Sequence, residues 1–176
     1  MAMTTQIDEL TGAGPTSTAV SSGTMNREDT VSGTTPIPVP SATGTNFSWI
    51  KTYIMEITAT GGLTMTNIRV GKVAAEATAG TKLWHVTSHA IGSYVQAAAS
   101  PTPTGDNNIT PPTLNGAASS EIQPITTPPS VYAAGPFAST GQKGNLVEVS
   151  CGVDATCLIT GVAVPLATLR WTWTEA

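Results

Sequence analysis

The stretch Phe47-Ser-Trp-Ile-Lys-Thr-Tyr-Ile-Met-Glu-Ile-Thr-Ala59 decides the fold class. Its large apolar residues fall on both parities, with Trp49 and Tyr53 on one and Ile50 and Ile54 on the other. Aromatic and β-branched residues at period two favour a β-strand, and apolar residues on both parities indicate burial of both faces. The sequence therefore predicts a central strand of a sheet over 47–59.

The residues that follow predict a turn and a second strand. Gly61-Gly62 is a hairpin turn signal, and 63–70 continues with strand character. The apolar parity of this strand switches between Met65 and Ile68. An inserted residue would explain the switch, so we expect a β-bulge near Asn67.

Other strand-like segments are short and separated by turns that contain Gly or Pro. Only Val73–Ala77 favours a helix, and it is too short to form one alone. About six to eight strands without a helical period are typical of an antiparallel β-sandwich, either immunoglobulin-like or jelly-roll. The further strand predictions are Leu83–Ile91, Leu146–Cys151, Cys157–Val164 and Ala167–Thr174.

The two ends of the predicted sandwich differ in composition. Residues 1–35 are rich in Thr, Ser and Gly and poor in large apolar side chains, so alone they cannot offset their ordering entropy. Pro36-Ile-Pro-Val-Pro40 favours a polyproline II spacer. We therefore predict an extended arm over 1–40 and a β-sandwich body over 41–176, with a long proline-rich loop at 99–130.

Composition excludes several classes of partner. Of the 176 residues 10% are charged, against about 25% in a typical domain. The net charge of −4 leaves no basic surface for nucleic acid or anionic lipid. No apolar run approaches the roughly 20 residues that a bilayer requires, and the first ten residues lack a secretory signal, so we expect folding in a cytosol.

The two cysteines, Cys151 and Cys157, allow two interpretations. If 152–156 formed a hairpin loop, their Cα atoms would lie about 5.5 Å apart, a separation that permits a disulfide. The alternative is a pair of small buried side chains that a cytosol keeps reduced.

No catalytic constellation is visible. The sequence has no nucleophile elbow, dinucleotide-binding motif or phosphate-binding loop. In a strand, His85 and His89 would lie about 13 Å apart, too far to share a metal ion. We predict that the protein is not an enzyme and has no metal, cofactor or small-molecule substrate.

The acidic residues have ordinary explanations at this stage. The carboxylate pairs Asp8/Glu9 and Glu28/Asp29 lie in the predicted arm, where we expect them to be solvated. Asp106 has no further acidic residue close by in sequence and is expected to form an Asx turn rather than part of a calcium site.

Four aromatic residues are candidates for contact with a partner or a glycan: Trp84, Tyr94, Trp171 and Trp173. Trp171 and Trp173 share one face of the last predicted strand, about 7 Å apart, where two rings can stack on a sugar. The alternative is that they anchor the core or an interface, which is the commoner role of large aromatic residues.

Three stretches resemble small virion structural proteins of tailed bacteriophages. They are Asn46-Phe-Ser-Trp-Ile-Lys-Thr-Tyr-Ile54, Ile57-Thr-Ala-Thr-Gly-Gly-Leu-Thr-Met-Thr-Asn-Ile-Arg-Val70 and Thr168-Leu-Arg-Trp-Thr-Trp-Thr-Glu175. The resemblance implies a non-enzymatic, multi-copy β-sandwich protein that assembles into the virion in the bacterial cytoplasm.

The function implied is that of a capsid decoration (cement) protein or minor head protein. It would stabilise the particle through subunit contacts and the N-terminal arm. A tail, neck or baseplate protein is the alternative within the same class, and a carbohydrate-binding module for host surface glycans is the alternative from another class. The expected partners are copies of the chain itself and other virion proteins, such as the major capsid or tail proteins.

Overall fold

The computed structural model describes residues 2–96, 100–101, 111–125, 133, 135–158 and 167–176. No α-helix occurs in these ranges, and none of their helical turns is long and apolar enough to cross a membrane. The predicted all-β class is therefore confirmed. The strands are β1 (Thr4–Thr11), β2 (Thr16–Ala19), β3 (Thr45–Phe47), β4 (Lys51–Ala59), β5 (Met65–Lys72), β6 (Thr81–Val86), β7 (Thr113–Leu114), β8 (Ala117–Ala118), β9 (Ser120–Glu121), β10 (Val147–Asp154) and β11 (Leu169–Glu175).

The strands form one large and two small antiparallel sheets. The large sheet has the order β2-β1-β4-β10-β6-β9, with β3 also paired to β10, while β5 pairs with β11 and β7 pairs with β8. One apolar cluster joins the large sheet to the β5–β11 sheet. Its buried members include Met55, Ile57, Ile68, Val70 and Val149. Two antiparallel sheets that share a core are consistent with a β-sandwich.

The stretch 47–59 lies at the centre of the large sheet, as predicted. Strand β4 has β1 on one side and β10 on the other, and its residues from 51 to 55 are all buried. The strand is interrupted between β3 and β4, where the pairing with β10 shifts by one residue. At this point Ser48 Oγ accepts a hydrogen bond from the Cys151 amide at 2.9 Å, so a side chain replaces a backbone acceptor.

The expected bulge at Asn67 is present. Between the pairs Thr172↔Arg69 and Thr174↔Thr66, β5 contains one residue more than β11. Asn67 has a φ of 54°, a left-handed conformation that Asn tolerates better than most residues. Because of the extra residue, Met65 and Ile68 both reach the core.

The turn at Gly61-Gly62 is correctly predicted, but it does not close a hairpin. Both glycines have positive φ values, and the Leu63 amide donates to the Thr60 carbonyl at 3.0 Å. Strand β4 lies in the large sheet and β5 lies in the small one. The turn therefore carries the chain from one layer of the sandwich to the other.

Residues 4–19 of the predicted extended arm form strands of the large sheet. Strand β1 pairs with β4 over seven residue pairs, and β2 pairs with β1 as the second arm of a hairpin. Backbone hydrogen bonds need no particular side chains, so composition alone does not reveal such pairing. The body of the chain supplies the surface on which this segment orders.

Residues 20–40 also lie against the body rather than serving as a spacer. All but one of their large apolar side chains, namely Val20, Met25, Ile37 and Val39, pack on the main core. Gly23 lies so close to Tyr53 that a Cβ atom at this position would clash with the phenol oxygen. This part of the N-terminal segment (residues 1–40, called the leader below) therefore covers one side of the sandwich.

The proline-rich region 99–130 is ordered where the structure describes it. Within 111–125, β7 and β8 form a small hairpin and β9 pairs with β6. Leu114 and Ile122 are fully buried, so this part belongs to the core and is not an irregular loop. Most of the predicted strand Cys157–Val164 lies outside the described residues.

We expect replacement of Asn67 by Val to lower the free energy of unfolding by about 1–2 kcal/mol, because a β-branched residue is strained at positive φ. Replacement by Gly, which adopts this conformation freely, is the matched control and should change it by less than about 0.5 kcal/mol. Urea denaturation of the three proteins measures both effects. Equal losses in the two variants would contradict the bulge conformation.

Candidate functional site: the buried charges beneath the N-terminal segment

Lys51 is the charged residue on which the N-terminal segment converges. Its side chain is 1% exposed, and its ammonium donates to the carbonyls of Glu28 and Thr30 at 2.6 and 2.7 Å. Glu9 Oε1 lies 3.6 Å from the same nitrogen. One buried cation thus joins β4, β1 and the segment that follows β2.

Glu9 is less well satisfied than Lys51. It is fully buried, and neither of its carboxylate oxygens accepts a well-formed hydrogen bond from the described part of the chain. Burial raises the pKa of Glu9, and the nearby Lys51 ammonium and Tyr53 hydroxyl offset only part of that effect. Burial likewise lowers the pKa of Lys51 despite the attraction of Glu9. The pair is therefore held together against a substantial cost of desolvation.

The segment above Lys51 is fixed by its own hydrogen bonds. Asn26 is buried, and its side-chain amide donates to the Gly33 carbonyl at 2.7 Å. A Cβ atom on Gly33 would lie 2.6 Å from that amide nitrogen, so the close approach depends on glycine. The Asn26 carbonyl also accepts from the Trp49 amide at 2.8 Å. This closed loop places the two carbonyls over the Lys51 ammonium.

A second group of buried charges connects the two layers of the sandwich. Lys72, at the end of β5, donates to Glu76 at 2.8 Å and to Glu121 at 3.0 Å. Burial alone would lower the pKa of Lys72, but these bonds overcome it and the pKa is raised. Glu76 also accepts from the Leu83 amide at 3.0 Å. This ion-pair network links β5 to β6 and β9.

The two histidines make separate contacts and do not share a site in the described residues. His85 Nδ1 lies 3.0 Å from the Ser120 carbonyl oxygen, and burial lowers the pKa of its imidazole. His89 Nδ1 lies 3.0 Å from Glu148 Oε2, which is a separate contact. Across the described ranges, no three His, Cys, Asp or Glu residues are placed to hold a metal ion.

A shallow, open groove lies beside the N-terminal hairpin. It encloses about 540 Å³ and is lined by residues 5–7, 19–21 and Thr58. None of these residues titrates, so the groove carries no acid or base. Glu9 and Lys51 do not line it, and their shifted pKa values therefore belong to a structural network.

The expectation that Asp8 and Glu9 are solvated is wrong. Both are buried, and Asp8 accepts hydrogen bonds from Ser17 and from Gln6. The expectation treated residues 1–40 as an arm outside the body. Strand β1 instead pairs with β4, and both carboxylates are buried as a result. Asp29 is also engaged, since its carboxylate accepts from the Gly12 amide at 3.0 Å. Asp106 lies outside the described residues.

The four candidate aromatic residues are not brought together into one surface. Trp84 is 5% exposed and packs on Phe47. Tyr94 packs beside Leu10 and donates its hydroxyl to the Gly12 carbonyl at 3.1 Å. It thereby ties the chain after β6 to the N-terminal hairpin.

Trp171 and Trp173 are both partly buried against the main core. The Trp171 indole nitrogen is buried without a hydrogen-bond partner among the described residues, whereas that of Trp173 donates to Glu175 at 2.9 Å. Rings that pack on the core are poorly placed to stack on a sugar. This geometry favours the anchoring role over the glycan-binding role.

The two cysteines are free thiols, and both are buried. Strand β10 continues through Asp154, so 152–154 is part of a strand and not of the loop that the disulfide interpretation requires. Burial raises the pKa of Cys151 to about 12. The second interpretation, two buried side chains in the core, describes them.

The chain matches no protein-family model, no curated protein and no solved structure. Its function must therefore be inferred from its own residues and their geometry.

We expect replacement of Lys51 by Met to lower the free energy of unfolding by about 3–5 kcal/mol, because Glu9 would remain buried without its cation. The additional change Glu9→Gln should recover part of this loss. Lys82→Met is the matched control, because Lys82 is half exposed in its ion pair with Glu121 and should contribute less than about 1 kcal/mol. Urea denaturation measures all four proteins. A small loss for Lys51→Met, equal to that of the control, would contradict the role of the pair.

The raised pKa of Glu9 also predicts a dependence on pH. Folding favours the protonated carboxyl, so its contribution is fully present below the unfolded value of 4.5 and is lost as pH rises through the folded pKa. The free energy of unfolding of the natural protein, measured relative to that of Glu9→Gln, should therefore fall over the pH range above 4.5, as pH rises through the raised pKa of Glu9. Denaturation of both proteins across this range provides the measurement, and a difference that rises with pH would contradict the assignment.

Proposed function

We propose that this protein is a structural component of a tailed-phage virion, a capsid decoration (cement) or minor head protein that stabilises the particle through subunit contacts. The proposal joins the resemblance in 46–54, 57–70 and 168–175 to one structural observation. That observation is the burial of a substantial part of the chain's few charges.

In the part of the chain that the structure describes, six charged residues are buried: Asp8, Glu9, Lys51, Lys72, Glu148 and Asp154. Charged side chains are rarely buried in proteins, and this chain has only seven basic and eleven acidic residues in all. Burial of so many leaves the outer surface dominated by uncharged polar groups. Such a surface loses little charge solvation when another protein covers it.

The N-terminal segment presents a continuous uncharged surface of this kind. Residues 13–19 and 21–24 are all exposed, and none of them carries a charge. We assign the contacts with neighbouring subunits to this surface, within the 1–40 segment that the sequence singled out. Weak contacts of this type become strong when a symmetric particle repeats them.

The alternatives differ in the partner that they require. A tail, neck or baseplate protein would use the same surface on a different part of the virion. A carbohydrate-binding module is less well supported, because Trp84 is buried and Trp171 and Trp173 pack on the core.

The test uses particles of the source phage that lack this chain, to which the purified protein is added back. We expect saturable binding to heads and greater resistance of the particles to heat. The double variant Thr16→Lys/Thr24→Lys, which introduces unpaired charges into the uncharged surface, should bind at least about tenfold more weakly.

The matched control is Thr113→Lys/Thr174→Lys, which adds the same charge at exposed positions outside this surface and should bind normally. Binding to tails but not heads would select the tail alternative. Absence of the chain from purified virions, together with quenching of tryptophan fluorescence by cell-surface glycans, would overturn the proposal in favour of the carbohydrate-binding module.

A further inference from the structure

We propose that the edge strand β2 is the contact by which two copies of this chain pair, antiparallel and about a two-fold axis at Thr18. This inference concerns self-association in solution, and it stands or falls separately from the virion assignment. It rests on two observations. Strand β2 lacks the residues that usually protect a sheet edge, and the backbone groups of alternate residues in β2 point away from the sheet.

Strand β2 is the outermost strand of the large sheet, and all four of its residues are exposed. Exposed edges are usually protected by charges, prolines or bulges. Strand β2 has none of these within Thr16–Ala19. At the opposite edge, β9 is only two residues long and carries Glu121, which is paired with Lys72. Among the described residues, the large sheet therefore has one protected edge and one open edge.

The pairing of β2 with β1 shows which backbone groups are free. The Val20 amide donates to the Ile7 carbonyl at 2.9 Å, so Ile7 and Val20 form a hydrogen-bonded pair. Hydrogen-bonded and non-hydrogen-bonded pairs alternate along an antiparallel ladder. Thr18 therefore directs its backbone groups inward to Glu9, while Ser17 and Ala19 direct theirs outward. No hydrogen bond from the described residues reaches these outward groups.

The free groups of β2 are complementary to those of a second β2. If Thr18 lies opposite Thr18 of the other copy, Ser17 lies opposite Ala19, and both have outward donors and acceptors. Each such pair exchanges two backbone hydrogen bonds. With the axis at Ser17, Ala19 would instead lie opposite Pro15, which is outside β2 and has no amide hydrogen, so the Ala19 carbonyl would find no donor. In the register centred on Thr18, every outward donor and acceptor of Ser17 and Ala19 finds its partner within β2 itself.

Electrostatics permits the same arrangement. Residues 13–19 carry no charge, so two copies of this edge do not repel each other. The nearest acidic side chains, Asp8 and Glu9, are buried in the sheet. A contact of four residues is much smaller than the roughly 1,200 Å² of a stable interface, so the pair is weak in solution and is strengthened by repetition.

A single cysteine tests the register. In the proposed pair the two Thr18 residues form a non-hydrogen-bonded pair with Cα atoms about 4.5 Å apart, within the range for a disulfide. We expect concentrated Thr18→Cys protein to form a covalent dimer under mild oxidation at least about fivefold faster than either control. The natural protein, in which Cys151 and Cys157 are buried, should remain monomeric on a non-reducing gel.

The two controls share the chemistry of the test variant. Thr16→Cys lies on the same strand, but in this register its Cα would be about 14 Å from its counterpart, too far for a disulfide. Thr174→Cys is exposed on β11 and measures collisional cross-linking. Adding Ala19→Pro to Thr18→Cys removes an outward donor without touching the pairing to β1, and it should return cross-linking to the level of the controls.

Equal rates for Thr18→Cys and Thr174→Cys would overturn the proposal. Faster cross-linking of Thr16→Cys would overturn the register. Circular dichroism of each variant checks that the fold is retained. Because none of these measurements involves a virus particle, their failure would leave the proposed virion function to its own test.

Discussion

The rest of the structure depends on the contacts that the buried Lys51 ammonium makes with backbone carbonyls and with Glu9. Lys51 lies in the central strand, and its donors reach carbonyls of the leader and approach Glu9 of the first strand. A fully buried ion pair rarely adds net stability over an apolar pair of the same volume, but removal of one partner is costly. Its effect here is to specify where β1 and the loop after β2 lie relative to β4. In this structure β1 and the loop after β2 together supply the partners of the buried cation.

The same constraint shapes the surface. A chain with so few charges, several of them used internally, is left with a coat of Thr, Ser and Gly on the outside. This coat is hydrated through neutral hydroxyl and backbone groups, which are less costly to cover than charges. Such a surface is compatible with the contacts between subunits that we propose. The open edge at β2 is part of the same uncharged surface.

Sequence periodicity was most informative for the strands that line the core. The two-sided apolar pattern of 47–59 correctly predicted a central strand, and the parity switch between Met65 and Ile68 correctly predicted the bulge at Asn67. Both signals are local, because neighbouring side chains on a strand must alternate between faces. The Gly61-Gly62 turn was also visible, but whether it joined strands of one sheet or of two was not. That choice depends on which distant strand is available for pairing.

The candidate site was less predictable than the fold. No pattern in the leader marked Glu9 or Asp8 as buried, since both stand among Thr, Gln and other polar residues. A faint signal existed in Ile7 and Leu10, which flank them and reach the core or its satellite clusters. Likewise, Lys51 stood within an apolar strand, and a lone cation in such a stretch requires a partner. Neither signal identified that partner.

By itself, the sequence determined the all-β class, the low surface charge and the positions of the main strands, because side-chain alternation and turn preferences act between near neighbours. Only the tertiary structure decided that the leader completes the sheet, that the carboxylates of β1 are buried and that β2 is left as an edge. The physical reason is that backbone hydrogen bonds between strands are almost independent of side-chain identity. Their pattern is chosen by the whole chain at once.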